Sequence, residues 1–365
     1  MKTRIFLPPL RGMTGGVAVL HQLAQHLFHG GHDVAVVPRE TATPVPEGVP
    51  VCPWDTLALD ADDLWLIPEG WVNALTPGLR AKARCVVYVQ NWAYLLSALP
   101  EGVHWAQLPV HFLAVSQPVA WFTERATGRA GIPILRPGID TSLFHPQRAL
   151  GGVAHNGEHG QGNPGDSVAA GSHGTVAPDA IRIAWMPRKN KALAVRIRET
   201  VEARRALLGK PPFLWEEIHG KTPEGVAQAL RTAHIFLSTG FPEGCPLPPL
   251  EAMASGCIVA GFSGLGGWDY LRQALPPEQG GYVPWWPLRD ASWQGNALVT
   301  ADADVPAAAN ALELAAQWLE EDSPALHSLR GQAVRTLEEY TVHSQRRTVL
   351  TLWEAAERGS LFAAI

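Results

Sequence analysis

The chain is short of cysteine, of uninterrupted apolar sequence and of surplus positive charge, and each shortage removes a class of protein. Its four cysteines, Cys52, Cys85, Cys245 and Cys257, have neither paired metal-ligand spacing nor the density of a disulfide scaffold, so they read as reduced thiols. No stretch reaches the roughly 18 apolar residues of a membrane span, and the apolar run in the opening MKTRIFLPPLRG is too short for a signal peptide. The expectation is a cytoplasmic protein that at most rests peripherally on the inner membrane face. With 29 Lys and Arg against 34 Asp and Glu, a net charge of −5, there is no basic footprint for nucleic acid. Any bound phosphate must be met by local cations. What the chain does have is apolar mass: 46% hydrophobic residues supply real cores, and 365 residues exceed what one core organises, so two domains are expected. Its 14 tryptophans are roughly double an average share and read first as core and interface packing.

Along the first 140 residues short apolar runs, RIFLPP, DVAVVP, DLWLIPE, CVVYVQ, HFLAVSQ and PILRPG, are separated by longer or polar segments, the pattern of a parallel sheet with helical crossovers. In VAVLHQLAQHLFHGG, Val17, Leu20, Leu23, Ala24, Leu27 and Phe28 recur at helical spacing, and Gly30 with Gly31 stops the helix. The tract GGVAHNGEHGQGNPGDSVAAGSHG has no apolar period and reads as a flexible linker or insertion. Alternation resumes with IRIAWMPRK, a helix over ALAVRIRETVEARRALL, FLWEEIHG, PEGVAQALRTA, HIFLSTG and CIVAGF, and ends in helical patterns.

The stretch FPEGCPLPPLEAMASGC carries the most chemistry. HIFLSTG before it is a strand, FPEGCP a loop, and LPPLEAMAS a helix whose first turn tolerates Pro248 and Pro249, because the missing N–H groups are orphans there anyway. Glu243 then hangs at the carboxyl end of a strand, where open α/β sheets bind ligands, and Glu251 sits about one turn inside the helix. Free N–H groups at that helix start suit an anion such as a diphosphate. The eight-residue separation carries no signal alone, since Glu216 with Glu224 and Glu313 with Glu321 share it. RKNK, coming directly off a core strand, reads as a phosphate contact, and Gly15 with Gly16, between the first strand and first helix, permit close backbone approach.

E-G-x-x-L-P-P-L-E-A-M-A-S-G resembles the signature of retaining glycosyltransferases of the GT-B fold, the nucleotide-sugar-dependent family four. TGGVAVLHQLAQHLFHGGHDVAVV resembles that family's glycine pair, helix and strand entry, LRPGIDTSLFHP its hinge segment, and RIAWMPRKNKA its basic pair. The resemblance implies two Rossmann-like domains, with parallel sheets facing across a cleft. It places an acceptor-binding domain at 1–145, the linker or insertion at 146–178, a nucleotide-sugar-binding domain at 179–340 and, at 341–365, a C-terminal helix returning to the first domain. It further implies that Glu251 holds the nucleotide ribose and Glu243 the donor sugar, with Gly244 and Leu247 beside them. Arg188 and Lys191, or Lys189 as the alternative, would neutralise the departing diphosphate, a role that needs fixed cations. The donor is a nucleotide-diphosphate sugar, there is no cofactor or essential metal, and the acceptor is a glycan or lipid-linked glycan of surface polysaccharide or glycolipid synthesis.

Three departures from the family pattern stand out: Cys245-Pro246 replaces Phe-Gly, Gln90-Asn91-Trp92 stands where some relatives place a catalytic-site His, and Arg136-Pro137 replaces the hinge Asn. The alternative of another class is a non-catalytic sugar-nucleotide-binding or partner subunit of the same fold. A nicotinamide oxidoreductase lacks its fingerprint after strand one. The match GQGNPG at 160–165 sits in the linker, and the linker histidines His155, His159 and His173 have no fixed geometry to hold a metal. The Asp-Ala-Asp runs at 60–62 and 302–304 read as solvated.

Overall fold

The computed structural model describes residues 1–10, 12, 14–146 and 180–362. The linker tract, its glycine match and its histidines lie outside the described residues.

The N-terminal unit runs β1 (Thr3–Leu7), α1 (Gly15–His29), β2 (Val34–Pro38), β3 (Leu64–Pro68), α2 (Thr76–Ala81), β4 (Arg84–Val89), α3 (Trp92–Ser97), β5 (His111–Ala114) and α4 (Gln117–Thr127). Its five strands pair in parallel in the order β2-β1-β3-β4-β5. Covered on both faces, such strands must be apolar throughout rather than alternating, which is why LWLIP of β3 is buried at every position. Thr14 caps α1 by accepting from the Val17 amide, and Val17, Leu20, Leu23, Ala24 and Leu27 are buried as the spacing requires. Phe28 is the exception, 39% exposed at the helix end rather than in the core. The segment PILRPG forms only a single bridge, Ile134 with Ala114, because Pro133 and Pro137 bracket it and cannot donate to a ladder.

The C-terminal unit runs β6 (Arg182–Trp185), α5 (Lys191–Leu207), β7 (Leu214–Glu217), α6 (Pro223–Thr232), β8 (Ile235–Ser238), α7 (Leu247–Ala254), β9 (Ile258–Phe262), β10 (Leu298–Thr300), α8 (Val305–Glu320), α9 (Pro324–Leu337) and α10 (Val342–Glu357). Its strands, again parallel, follow the order β10-β9-β8-β6-β7. The last helix leaves this unit and packs on the first. Val349, Trp353 and Ala356 of α10 belong to the N-terminal core, Trp353 Nε1 donates to Thr3 Oγ1 at 2.9 Å, and Arg84 donates to the Ala356 carbonyl at 3.0 Å.

The chain therefore crosses between units twice, and the crossings lie side by side. Ile139 N donates to the Tyr340 carbonyl at 2.8 Å and Val342 N to the Ile139 carbonyl at 3.1 Å. Gly138 is needed there, since a Cβ would sit 2.6 Å from the Thr341 oxygen. No helix among the described residues is long and apolar enough to cross a membrane.

Candidate active site

In parallel sheets every strand delivers its following loop to the same edge, and here the carboxyl edges of the two sheets meet. Ser116, after β5, donates its hydroxyl to the Gly244 carbonyl at 2.6 Å, and Asn91, after β4, donates its amide to the Pro242 carbonyl at 3.1 Å. Gly244 lies so close to the Gln90 carbonyl that any Cβ would overlap it. The loop carrying Glu243 is thus held by the N-terminal unit as well as by its own sheet.

Within the C-terminal unit that loop is clasped by glycines. Glu243 N donates to the Gly264 carbonyl at 2.9 Å, and Gly266 N donates back to the Glu243 carbonyl at 3.1 Å. A Cβ on Gly264 would fall 2.6 Å from the Gly240 oxygen, and one on Gly240 would fall 2.7 Å from Glu243 Oε1. Asp302 fixes the clasp by accepting from Gly264 N at 2.8 Å, and burial pushes its carboxyl above the ordinary range. This corrects the reading of 302–304 as a solvated run: Asp302 is a part-buried brace, and Asp304 caps α8. Asp60 does stay at the surface, 3.6 Å from Lys2.

The expected site residues are placed unequally. Glu243 pairs with Lys189 at 2.8 Å, and the same ammonium donates to the Pro242 carbonyl at 2.7 Å. Lys191 opens α5 and points elsewhere, 3.2 Å from Glu217 with 60% of its side chain exposed. Arg188 is exposed in the turn after β6 and makes no hydrogen bond or ion pair among the described residues. Of the cations in the basic run only Lys189 is brought to the glutamate loop, beside Asn190, which donates its amide to the Phe241 carbonyl at 3.0 Å. Gly16 is packed against the Gln90 side chain with no room for a Cβ, whereas Gly15 faces open space. Leu247 begins α7, with Pro246 in extended backbone as the residue before it.

Glu251 is the most unusual of them. It is part-buried on α7, and no donor or cation reaches its carboxylate among the described residues. Burial alone pushes it up to about 7. With no protein donor beside it, this carboxylate is open to a ligand that brings hydroxyl or amine donors.

Residues missed by sequence reasoning hold this arrangement. Glu69, directly after β3, is 3% exposed and accepts from the Gln90 and Asn91 amides at 3.0 and 2.7 Å, fixing the loop on which Gly244 rests. Burial pushes it up to about 7 despite those two bonds. Asp269, fully buried, accepts from Arg136 at 2.6 and 3.1 Å, from the Gln117 amide at 2.8 Å and from Tyr340 at 2.5 Å. Burial alone would raise its carboxyl, but the Arg136 charge and bonds, with Tyr340 and Arg289, hold it below the ordinary range. Arg136 is the residue that replaces the hinge Asn, so the departure has a structural role. Neither acid sits in a motif; the one signal was for Glu69, an acidic residue at the end of the apolar run LWLIP.

Among the described residues no three His, Cys, Asp or Glu side chains lie together in a way that could hold a metal ion. Two donors near the cleft, Gln90 Nε2 and Trp92 Nε1, are buried without a partner.

The architecture matches solved structures over nearly its whole length. A glycosyltransferase from Rickettsia africae superposes with a TM-score of 0.64 over 97% of this chain and 98% of its own, at 11% identity. The fold is GT-B. The catalytic domain of starch synthase IV from Arabidopsis thaliana, solved with ADP and acarbose, matches with a TM-score of 0.58 over 98% and 99% of the two chains, at 13% identity. In sequence, an alpha-1,6-glucosyltransferase of Actinobacillus pleuropneumoniae is 53% identical over 47 residues, which is 13% of this chain and 14% of that protein. No family model matches the chain.

Proposed function

We propose that this GT-B chain is a retaining glycosyltransferase that moves a sugar from a nucleotide-diphosphate sugar to a glycan or lipid-linked acceptor, without a metal. The observation that carries the reading is Glu251, a part-buried carboxylate with no protein partner among the described residues, one turn into the helix that follows the glutamate loop. A ribose offers two neighbouring hydroxyl donors, the partner such a group lacks. Beside the same loop Lys189 supplies a fixed cation where negative charge grows on the departing diphosphate. Its pairing with Glu243 keeps both side chains in place before substrate arrives. The ADP of the starch synthase structure supports a nucleotide as the ligand class. Acceptor binding belongs to the N-terminal edge, and the protein works in the cytoplasm or at the inner membrane face.

The test is the thermal shift of the purified protein across nucleoside diphosphates and nucleotide sugars, since a ligand that binds only the folded state raises its stability. The expected result is a clear shift with one nucleotide that disappears in Glu251→Ala, together with donor hydrolysis or transfer. A shift without any turnover over a broad acceptor panel would favour the non-catalytic subunit. No shift with any nucleotide overturns the donor site.

A further inference from the structure

A hollow of about 500 Å³ opens where the chain crosses between its two units, away from every residue assigned above to the donor site. The end of α1 supplies His26 and His29, the outgoing crossing supplies Asp140, and the start of α10 supplies His343 and Arg346. The remaining polar lining is hydroxyl, from Thr141, Ser142 and Thr341. Its size falls in the range of small-molecule sites.

Its basic side chains mostly lack partners. Arg346, His29 and His343 have no hydrogen bond or ion pair among the described residues. Asp140 is the one acid in the wall, and its Oδ1 is engaged by the Ser142 amide at 2.8 Å and the Ser142 hydroxyl at 2.6 Å. The basic groups press on one another: burial lowers His26, and the charges of Arg346 and His29 lower it further, against a hydrogen bond to Gln345. The positive end of the 16-residue α10 opens into the same space, which reinforces the sign. One guanidinium and two imidazoles without partners border one concavity, and all three can donate to the oxygens of an anion.

We propose that this hollow is a second ligand site, taking the phosphoryl group of a small phosphorylated metabolite. Arg346 is the primary contact, His29 and His343 flank it, and the hydroxyl of Thr141 adds a donor. The ligand would touch the outgoing crossing, the returning crossing and α1 together, so its occupancy favours the arrangement of the two units in which those three lie side by side. The site stands apart from the proposed glycosyl transfer.

Inorganic phosphate is the probe, titrated by calorimetry and thermal shift against chloride at matched ionic strength, on the wild type, Arg346→Gln, His343→Gln, Glu251→Ala and Lys189→Gln. The expected result is a phosphate-dependent rise in melting temperature in the wild type, Glu251→Ala and Lys189→Gln. In Arg346→Gln the affinity should fall about tenfold or more, the loss of one charge-assisted contact. Arg346 and His343 lie at the surface, so folding of the variants is not at stake, and the chloride melting temperatures verify it. Absence of phosphate binding in the wild type overturns the proposal. So does binding that survives Arg346→Gln but is lost in Lys189→Gln, a result that would place phosphate at the donor site and strengthen the transferase reading instead.

Discussion

Two carboxyls, Glu69 and Glu251, are both pushed up to about 7 by burial, yet they are satisfied differently. Glu69 has two backbone amides and works as a tie; Glu251 has no hydrogen-bond partner among the described residues. A raised acid holds its proton in the folded chain over a window in which the unfolded chain has lost it. Stability that is full below the unfolded value near 4.5 is therefore lost as pH rises through about 7. Glu251→Gln removes that loss. It should stabilise the ligand-free protein by up to about 3 kcal/mol near pH 8 and leave it close to wild type near pH 4.5, while nucleotide binding weakens. Urea midpoints at the two pH values check this, and a pH-independent difference would contradict it. The basic run gives a second expectation at this scale. Lys189 touches Glu243 and Lys191 does not, so Lys189→Ala should lower turnover well beyond Lys191→Ala when both are assayed on the same donor.

At the scale of elements, most strands were legible because they are buried on both faces and so announce themselves as continuous apolar runs, the edge strand β7, LWEE, being the exception. LPPLEAMA as a helix with prolines in its first turn was legible too, because proline is tolerated only there. Contacts among loops from different strands were not. Nothing in SGLGG marks it as the clasp of Glu243, and nothing local to Asp302 or Glu69 tells which backbone amides they receive. Such pairings are set by strand order, which places the ends of β3 and β4 beside each other and β8 beside β9. Glycine in these loops is required by proximity. Gly244→Ala would put a methyl group into the Gln90 carbonyl, so it should separate the glutamate loop from the N-terminal edge. Small-angle scattering should then show a more open molecule, with transfer reduced and nucleotide binding largely kept, because Glu251 belongs to the C-terminal unit.

For the whole molecule, the Asp269 cluster decides how the halves sit. It gathers Arg136 and the start of α4 from one side, and Tyr340 and Arg289 from the other, around a carboxylate with no exposure. Breaking a buried pair by removing one partner leaves an uncompensated charge. Arg136→Ala should therefore cost about 3–5 kcal/mol in chemical denaturation, toward the low end because Tyr340 and Gln117 N remain. The charge-conserving Arg136→Lys should recover only part of it, since a lysine cannot make the two bonds that the guanidinium makes.

The paired crossings have a mechanical meaning. A chain that passed once between two bodies would let them swivel about every direction, like a ball on a stalk. Here two strands of backbone, pinned to each other at Ile139 by hydrogen bonds on both sides, act as adjacent leaves on one pin. Twisting or sliding one crossing against the other would break those bonds. The two crossings are thereby coupled, so that a change in the angle between the units must move both together or break the bonds at Ile139.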